Sequence, residues 1–265
     1  MPIIRLGKGT VLNTSVFEFP TGRTIVHESQ DFQDAWTDDL PGVPALPDTL
    51  LALEVLLLEH VVDLHTISQV ILGDLGATLQ VLRLAGCEYG NAPDRPLRIQ
   101  DCISDLGLQR CFEAIGRGGP VSRHYRRSLS EIWRHSREIA GRTCMIAAEA
   151  DCGIRPDEAW IAGLLHSIGI LPDLLDWKGI QSNLDQTAVA LTLADRWCLP
   201  SVVKDALCGF YVPGYDARWS HILHSAHLVN GQTSGLCALT QETGGAASAP
   251  TGGLGADGHL RTAAR

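Results

Sequence analysis

The amino-acid sequence predicts an all-α protein in two helical lobes, preceded by a short N-terminal arm. Three observations carry that reading. Apolar residues recur at helical spacing almost without interruption from Leu46 onward; the glycines and prolines fall where they end helices of ordinary length; and β-leaning runs are confined to the first 45 residues. The connections between helices are short, so neighbouring helices pack on each other.

Residues 1–45 form the arm. Val16 to Phe19 and Arg23 to Val26 flank Pro20, Thr21 and Gly22, which fits a hairpin or an irregular leader equally well. Gly7-Lys8-Gly9-Thr10 has the flavour of a phosphate-binding loop but lacks the earlier glycine and the buried strand such a loop needs, so it is set aside. Residues 46–116 form the first lobe. Pro47 and Asp48 open a helix in which Leu50, Leu51, Leu53, Val55, Leu56, Leu57 and Leu58 leave little polar face, so it is expected to be central in its lobe. Asp63 caps a second helix with a Leu64, Ile67, Val70, Ile71 stripe ending at Gly73, and a third runs over about 77–84 with Leu79, Val81 and Leu82 inward. The fourth, about 99–106, ends at Gly107; the fifth starts at Leu108 and runs out in the break at 116–120.

Residues 117–231 form the second lobe. Its longest helix spans about 128–150, with Leu129, Ile132, Ser136, Ile139, Thr143, Ile146 and Ala150 on one side and His135 at the edge of that stripe. The next helix is the one around which the lobe is organised: Pro156 suits its first position, Asp157 and Glu158 its positive end, and His166 is delivered at its C-terminal end, where Gly169 is expected to take a left-handed turn. A short piece near 173–177, then helices over about 184–197, after Pro200 and over about 219–229, complete it. Residues 232–265 are rich in Gly, Ala, Ser and Thr and offer too little apolar surface to offset ordering, so a disordered tail is expected.

Composition excludes several classes of function. A formal net charge of −9 argues against a protein that coats nucleic acid or an anionic membrane. Neither a membrane span nor a secretion signal is evident, which makes the cytoplasm the expected location. The eight cysteines never form C-x-x-C, as suits reduced, mostly buried thiols.

Several segments resemble a known family in the right order. Ala45 to Leu50 (ALPDTL), Ile67 to Thr78 (ISQVILGDLGAT), Val81 to Gly86 (VLRLAG) and Ile99 to Leu108 (IQDCISDLGL) are similar to the diagnostic first lobe of the HDOD (HD-related output) domains. Ile132 to Ser136 (IWRHS), Ala162 to Gly169 (AGLLHSIG) and Ala194 to Pro200 (ADRWCLP) continue the resemblance into an HD-like second lobe. It covers about residues 45–230. The sequence departs from the pattern at Leu75, where proline is usual, at Gly86, where asparagine is, and at Gly209-Phe210-Tyr211, which replaces a histidine-rich segment.

The resemblance implies a metal site that has lost its charge. An HD phosphohydrolase holds its metal with a first histidine, a His-Asp pair and a distant aspartate, and the matching positions here are His135, His166 with Ser167, and Asn230. Both carboxylates are gone, and a hard, water-activating ion needs anionic oxygen. The resemblance therefore implies a non-catalytic bacterial signalling module acting by protein contact, with no catalytic residue, metal or cofactor. Its expected partners are proteins of two-component or cyclic-nucleotide pathways, not membranes or nucleic acid. The alternatives are a phosphohydrolase with an irregular metal shell and a module that senses a nucleotide or phosphate ligand.

Two bland readings stand beside these. His135 and His166 serve equally as helix histidines bonded to carbonyls, and His221, His224 and His227 fan over about 120° of one helix, which suits surface or supporting positions better than a metal. The basic run Arg117, Arg123, Arg126, Arg127, Arg134, Arg137 and Arg142 is either a solvated helix face or a surface for anions and acidic partners, with Arg123, Arg126, Arg127, Arg134 and Arg137 the candidates for contact.

Overall fold

The structure, a computed structural model, describes residues 17–18, 24–25, 41–58, 63–90, 92, 95–121, 125–177, 185–212 and 214–228. Gly7 to Thr10, Arg123, Asn230, Cys237 and the tail lie outside the described residues. In the arm, β1 (Phe17–Glu18) and β2 (Thr24–Ile25) pair antiparallel, Phe17 opposite Ile25, which is the hairpin form of the two readings.

Both expected lobes fall within one compact unit; its first part, the first lobe, comprises α1 (Pro47–Leu58), α2 (Leu64–Leu72), α3 (Leu75–Tyr89), α4 (Ile99–Leu106) and α5 (Leu108–Gly116). Capping follows the sequence signals closely. The Asp63 carboxylate accepts from the N–H groups of His65 and Thr66 at the start of α2, and Gly107, at φ 89°, separates α4 from α5 in a conformation that only glycine adopts cheaply.

The expectation for α1 is corrected. Only Leu53 of that helix is buried, while Leu51 (60% exposed), Val55 (51%) and Leu58 (82%) face outward. The central helix is α3, in which every residue from Leu75 to Leu82 is buried. The reason lies in packing: α3 lies against α2, α4, α5 and the second lobe, whereas α1 packs on α2. Burying a leucine-sized side chain contributes about 1.5–3 kcal/mol, and apolar groups left in water contribute nothing of the kind.

The second lobe consists of α6 (Arg126–Ala150), α7 (Pro156–Leu165), a 3₁₀ turn (Ile168–Ile170), α8 (Leu171–Leu174), α9 (Gln186–Arg196), α10 (Ser201–Tyr211) and α11 (Ala217–Leu228). The stripe predicted on α6 is buried at Leu129, Ile132, Ser136, Ile139 and Thr143, but its C-terminal end shifts to Ala147, and Ala150 is exposed. Trp133 and Ala140 are buried as well, so the covered face is wider than predicted, as befits a helix gripped on more than one side.

One carboxylate ties the N-terminal helices to α6. Asp74 caps α3 by accepting from Ala77 N (2.9 Å); the same oxygen accepts from Trp133 Nε1 on α6 (2.9 Å), and its other oxygen accepts from Leu46 N (2.8 Å). Asp74 is fully buried, and burial raises its pKa despite these hydrogen bonds. A second indole, Trp160 of α7, donates to Leu72 O at 3.2 Å. No single helix among the described residues is long and apolar enough to cross a membrane.

Candidate functional site

The site grows from the crossing of α6 and α7, the most extensive helix contact in the lobe. A Cβ on Gly163 would come within 2.7 Å of Ala140 Cα, so glycine is what allows the two backbones to approach this closely. The crossing is antiparallel: Ala159 packs with Ala147, Gly163 meets Ala140, and Ser167 meets Ser136. Helical geometry then sets His135, one residue before Ser136, beside His166, one residue before Ser167. Their ring centroids are 5.3 Å apart.

Gly169 does not take the expected left-handed conformation. It lies in the 3₁₀ turn with no positive φ, and what requires glycine there is close approach: a Cβ would stand 2.5 Å from Gln186 O at the start of α9. The turn thus presses the end of α7 against α9, leaving His166 buried at 1% exposure.

A third imidazole joins the first two. His227, in the last turn of α11, places its Nε2 3.2 Å from His166 Nε2, and its ring centroid lies 5.6 Å from that of His135. The candidate ligand atoms of His135, His166 and His227 all lie within 4.8 Å of one another, and no carboxylate belongs to this group among the described residues. Helix α11 is held there by its packing on α6 and by a hydrogen bond from Arg142 to Ala226 O (3.2 Å).

The rings are oriented by the backbone. His166 Nδ1 donates to Gly163 O and His227 Nδ1 donates to Leu223 O, each at 2.7 Å, because a carbonyl can only accept. Phe210 of α10 stacks on His227 (centroids 5.1 Å) and meets His166 edge-on (5.6 Å), so the segment that departs from the family pattern supplies an apolar wall. Tyr211 donates its hydroxyl to His166 O at 3.0 Å. Burial is the main reason the rings resist protonation: it pushes His135 down to about 4, with the neighbouring His227 adding to the effect. His166 is held well below its ordinary value by burial, then by His227 and His135, and His227 is lowered chiefly by burial.

The positions expected from the sequence fare unequally. His135, His166 and Ser167 come together, and Asn230 lies outside the described residues. Ser167 Oγ, standing where an HD hydrolase has its aspartate, lies 3.2 Å from Ser136 Oγ, both buried. These residues do not fit the family's carboxylate-bound hydrolytic metal, since the only oxygen at that position is a neutral hydroxyl engaged with another hydroxyl. His227 is the member that sequence reasoning missed. Of the arginine run, Arg126, Arg127, Arg134 and Arg137 lie on an exposed face of α6, where Arg127 pairs with Glu131 (3.1 Å) and Arg134 with Glu138 (2.8 Å), each one turn on; Arg117 follows α5, Arg142 is half-buried, and Arg123 lies outside the described residues.

Known proteins agree with this architecture. The structure of the MmoQ response regulator from Methylococcus capsulatus is similar at a TM-score of 0.55 and 20% identity, over 70% of this chain and 84% of that one. A virulence factor from Campylobacter jejuni is similar at 0.50 and 17% identity, over 69% and 75%. No curated protein matches significantly. The family model of the HDOD domain matches residues 43–175, which take in the whole first lobe, the α6–α7 crossing and two of the three clustered histidines. That match spans half the sequence and coincides with an all-helical HD-like fold, and on this ground the chain belongs to the HDOD domain family.

Proposed function

We propose that this chain is a non-catalytic regulatory module of bacterial signal transduction that acts in the cytoplasm by contact with other proteins. The observation that carries the reading is Ser167, a buried hydroxyl beside Ser136 where hydrolysis by an HD enzyme requires a carboxylate. Membership of the HDOD family and a fold shared with a response regulator support the signalling context. For the contact itself, α6 offers a local reversal of sign in an acidic protein, with Arg126 and Arg137 exposed beside the Arg127 and Arg134 ion pairs.

A second reading has one observation in its favour. A cavity of about 490 Å³ at the meeting of the lobes is lined by Arg95, Arg155 and Lys204, which suits an anionic ligand such as a nucleotide. These cations are already engaged: Arg155 with Glu158 (3.1 Å), Lys204 with Asp195 (2.6 Å), and Arg95 with the carbonyls of Leu82, Gly90 and Cys198. A ligand would have to displace these partners, so contact is the stronger reading.

The test is activity on phosphomonoesters and phosphodiesters with magnesium, manganese or zinc supplied. The expected result is no turnover above the metal alone, and turnover that disappears in His166→Ala would overturn the proposal. Charge reversal at Arg126 and Arg127 is expected to weaken capture of a signalling partner without lowering the melting temperature, because exposed substitutions usually change stability by less than about 0.5 kcal/mol.

A further inference from the structure

The two innermost histidines pose a problem that the protein part alone does not solve. Each donates its Nδ1 hydrogen to a backbone carbonyl, at Gly163 and at Leu223, so each neutral ring turns an unprotonated Nε2 inward. These two lone pairs face each other across 3.2 Å, too close for an intervening water and with no hydrogen to share. A proton on one ring or a cation held by both would resolve this contact, and burial disfavours the proton. A tetrahedral zinc-class ion with metal to nitrogen distances of about 2.0–2.1 Å sets its ligand nitrogens about 3.3 Å apart, close to the separation the two rings already have.

We propose that His135, His166 and His227 form a site for a single divalent transition-metal ion of the zinc class, bound by three imidazole nitrogens, with the fourth position left to an exogenous ligand such as water. Donor chemistry selects the ion. Neutral imidazoles suit zinc, cobalt, nickel or copper, whereas magnesium, calcium and manganese favour the oxygen ligands this site lacks. The supporting contacts are those of a metal site: His166 and His227 have their second nitrogen fixed by a carbonyl, which sets tautomer and ring orientation before any ion arrives. His135 is the part-buried member: its ring centroid lies 5.3 Å from that of His166 and 5.6 Å from that of His227, and its ligand atom falls within the 4.8 Å that spans the group. The ion would tie α6, the end of α7 and α11 together at one point, a role independent of whether the module is catalytic.

The experiment uses the full chain, stripped with a chelator and titrated with zinc, and separately with cobalt as a visible probe. The expected result is one equivalent bound, a rise in melting temperature with zinc, no comparable effect of magnesium, and a four-coordinate cobalt spectrum without thiolate charge-transfer bands. Affinity should fall at least a hundredfold in His227→Gln and in His135→Gln; the latter side chain is only part-buried, so this variant keeps the test valid should His166→Gln fail to fold. The proposal is overturned if the folded wild-type chain binds no zinc at micromolar concentration, if binding is unchanged in both variants, or if the cobalt spectrum shows thiolate ligation.

Discussion

The carboxylate of Asp74 should be worth more than any other polar side chain in the fold, because three donors from three parts of the chain end on it: Leu46 N before α1, Ala77 N in the first turn of α3, and Trp133 Nε1 from the second lobe. Asp74→Ala removes every acceptor and leaves these donors without a partner in a position water does not reach. Each buried unsatisfied donor costs about 1–3 kcal/mol, and relaxation recovers part of this, so a loss of about 4 kcal/mol is expected. Asp74→Asn should cost about 1–2 kcal/mol, since its amide oxygen can still accept from Ala77 and Trp133 and only Leu46 N then faces a donor. Urea unfolding with the slope held constant measures both. A double-mutant cycle with Trp133→Phe isolates the bond between the lobes and should give a coupling of about 1–2 kcal/mol. An alanine variant that loses less than about 1 kcal/mol, or a cycle with no coupling, would refute the idea that this carboxylate joins the lobes.

Two further outcomes follow from the geometry. Gly163→Ala should destabilise by about 1–3 kcal/mol because its Cβ would meet Ala140 Cα at 2.7 Å, whereas Gly141→Ala, in the same crossing but with nothing nearer than a Trp160 ring atom at 3.8 Å, should stabilise by about 0.5–1 kcal/mol; thermal melts of the pair test whether the crossing distance sets the sign. Burial pushes the thiols of Cys102 and Cys208 up to about 12 and Cys111 up to about 11, so at pH 8 their thiolate fraction is negligible in the native state, and raising the pH toward 11 should increase it. Alkylation at pH 8 followed by peptide mapping should therefore find exposed Cys87 modified well before these three, and early loss of any buried thiol would contradict their placement.

Much of the fold was legible because helix ends are written in short-range chemistry. Asp63, Gly107 and Pro156 mark termini through groups within a turn of themselves, and the helices begin and end close to where those residues predict. What covers a helix is a different matter. Leucine content made α1 look central, yet burial depends on which elements arrive from elsewhere in the chain, and they converge on α3, whose composition is less apolar. Gly169 shows the same limit: its sequence position at a helix end suggests a turn, and the reason for glycine there is the backbone of α9, which no local pattern reveals.

The candidate site divides along the same line. His135 and His166 could be paired from the sequence because the resemblance places both at positions of the family's metal site, but His227 was judged by its spacing from His221 and His224 on its own helix. That was the wrong comparison, because a site built at the meeting of three helices takes one ligand from each. The useful signal was its place three residues before Asn230, in the segment that the resemblance had already brought to the cleft. The survival of this geometry without its carboxylates has a physical explanation. The positions of His135 and His166 are set by the Gly163 to Ala140 approach and by the burial of α6 against α7, and His227 is set by α11 packing on α6. None of those contacts involves Ser167 as an acid. A helix crossing stabilised by small residues and apolar burial presents its side chains whatever residue stands at position 167, so the three imidazoles meet here beside a serine where an HD enzyme has an aspartate.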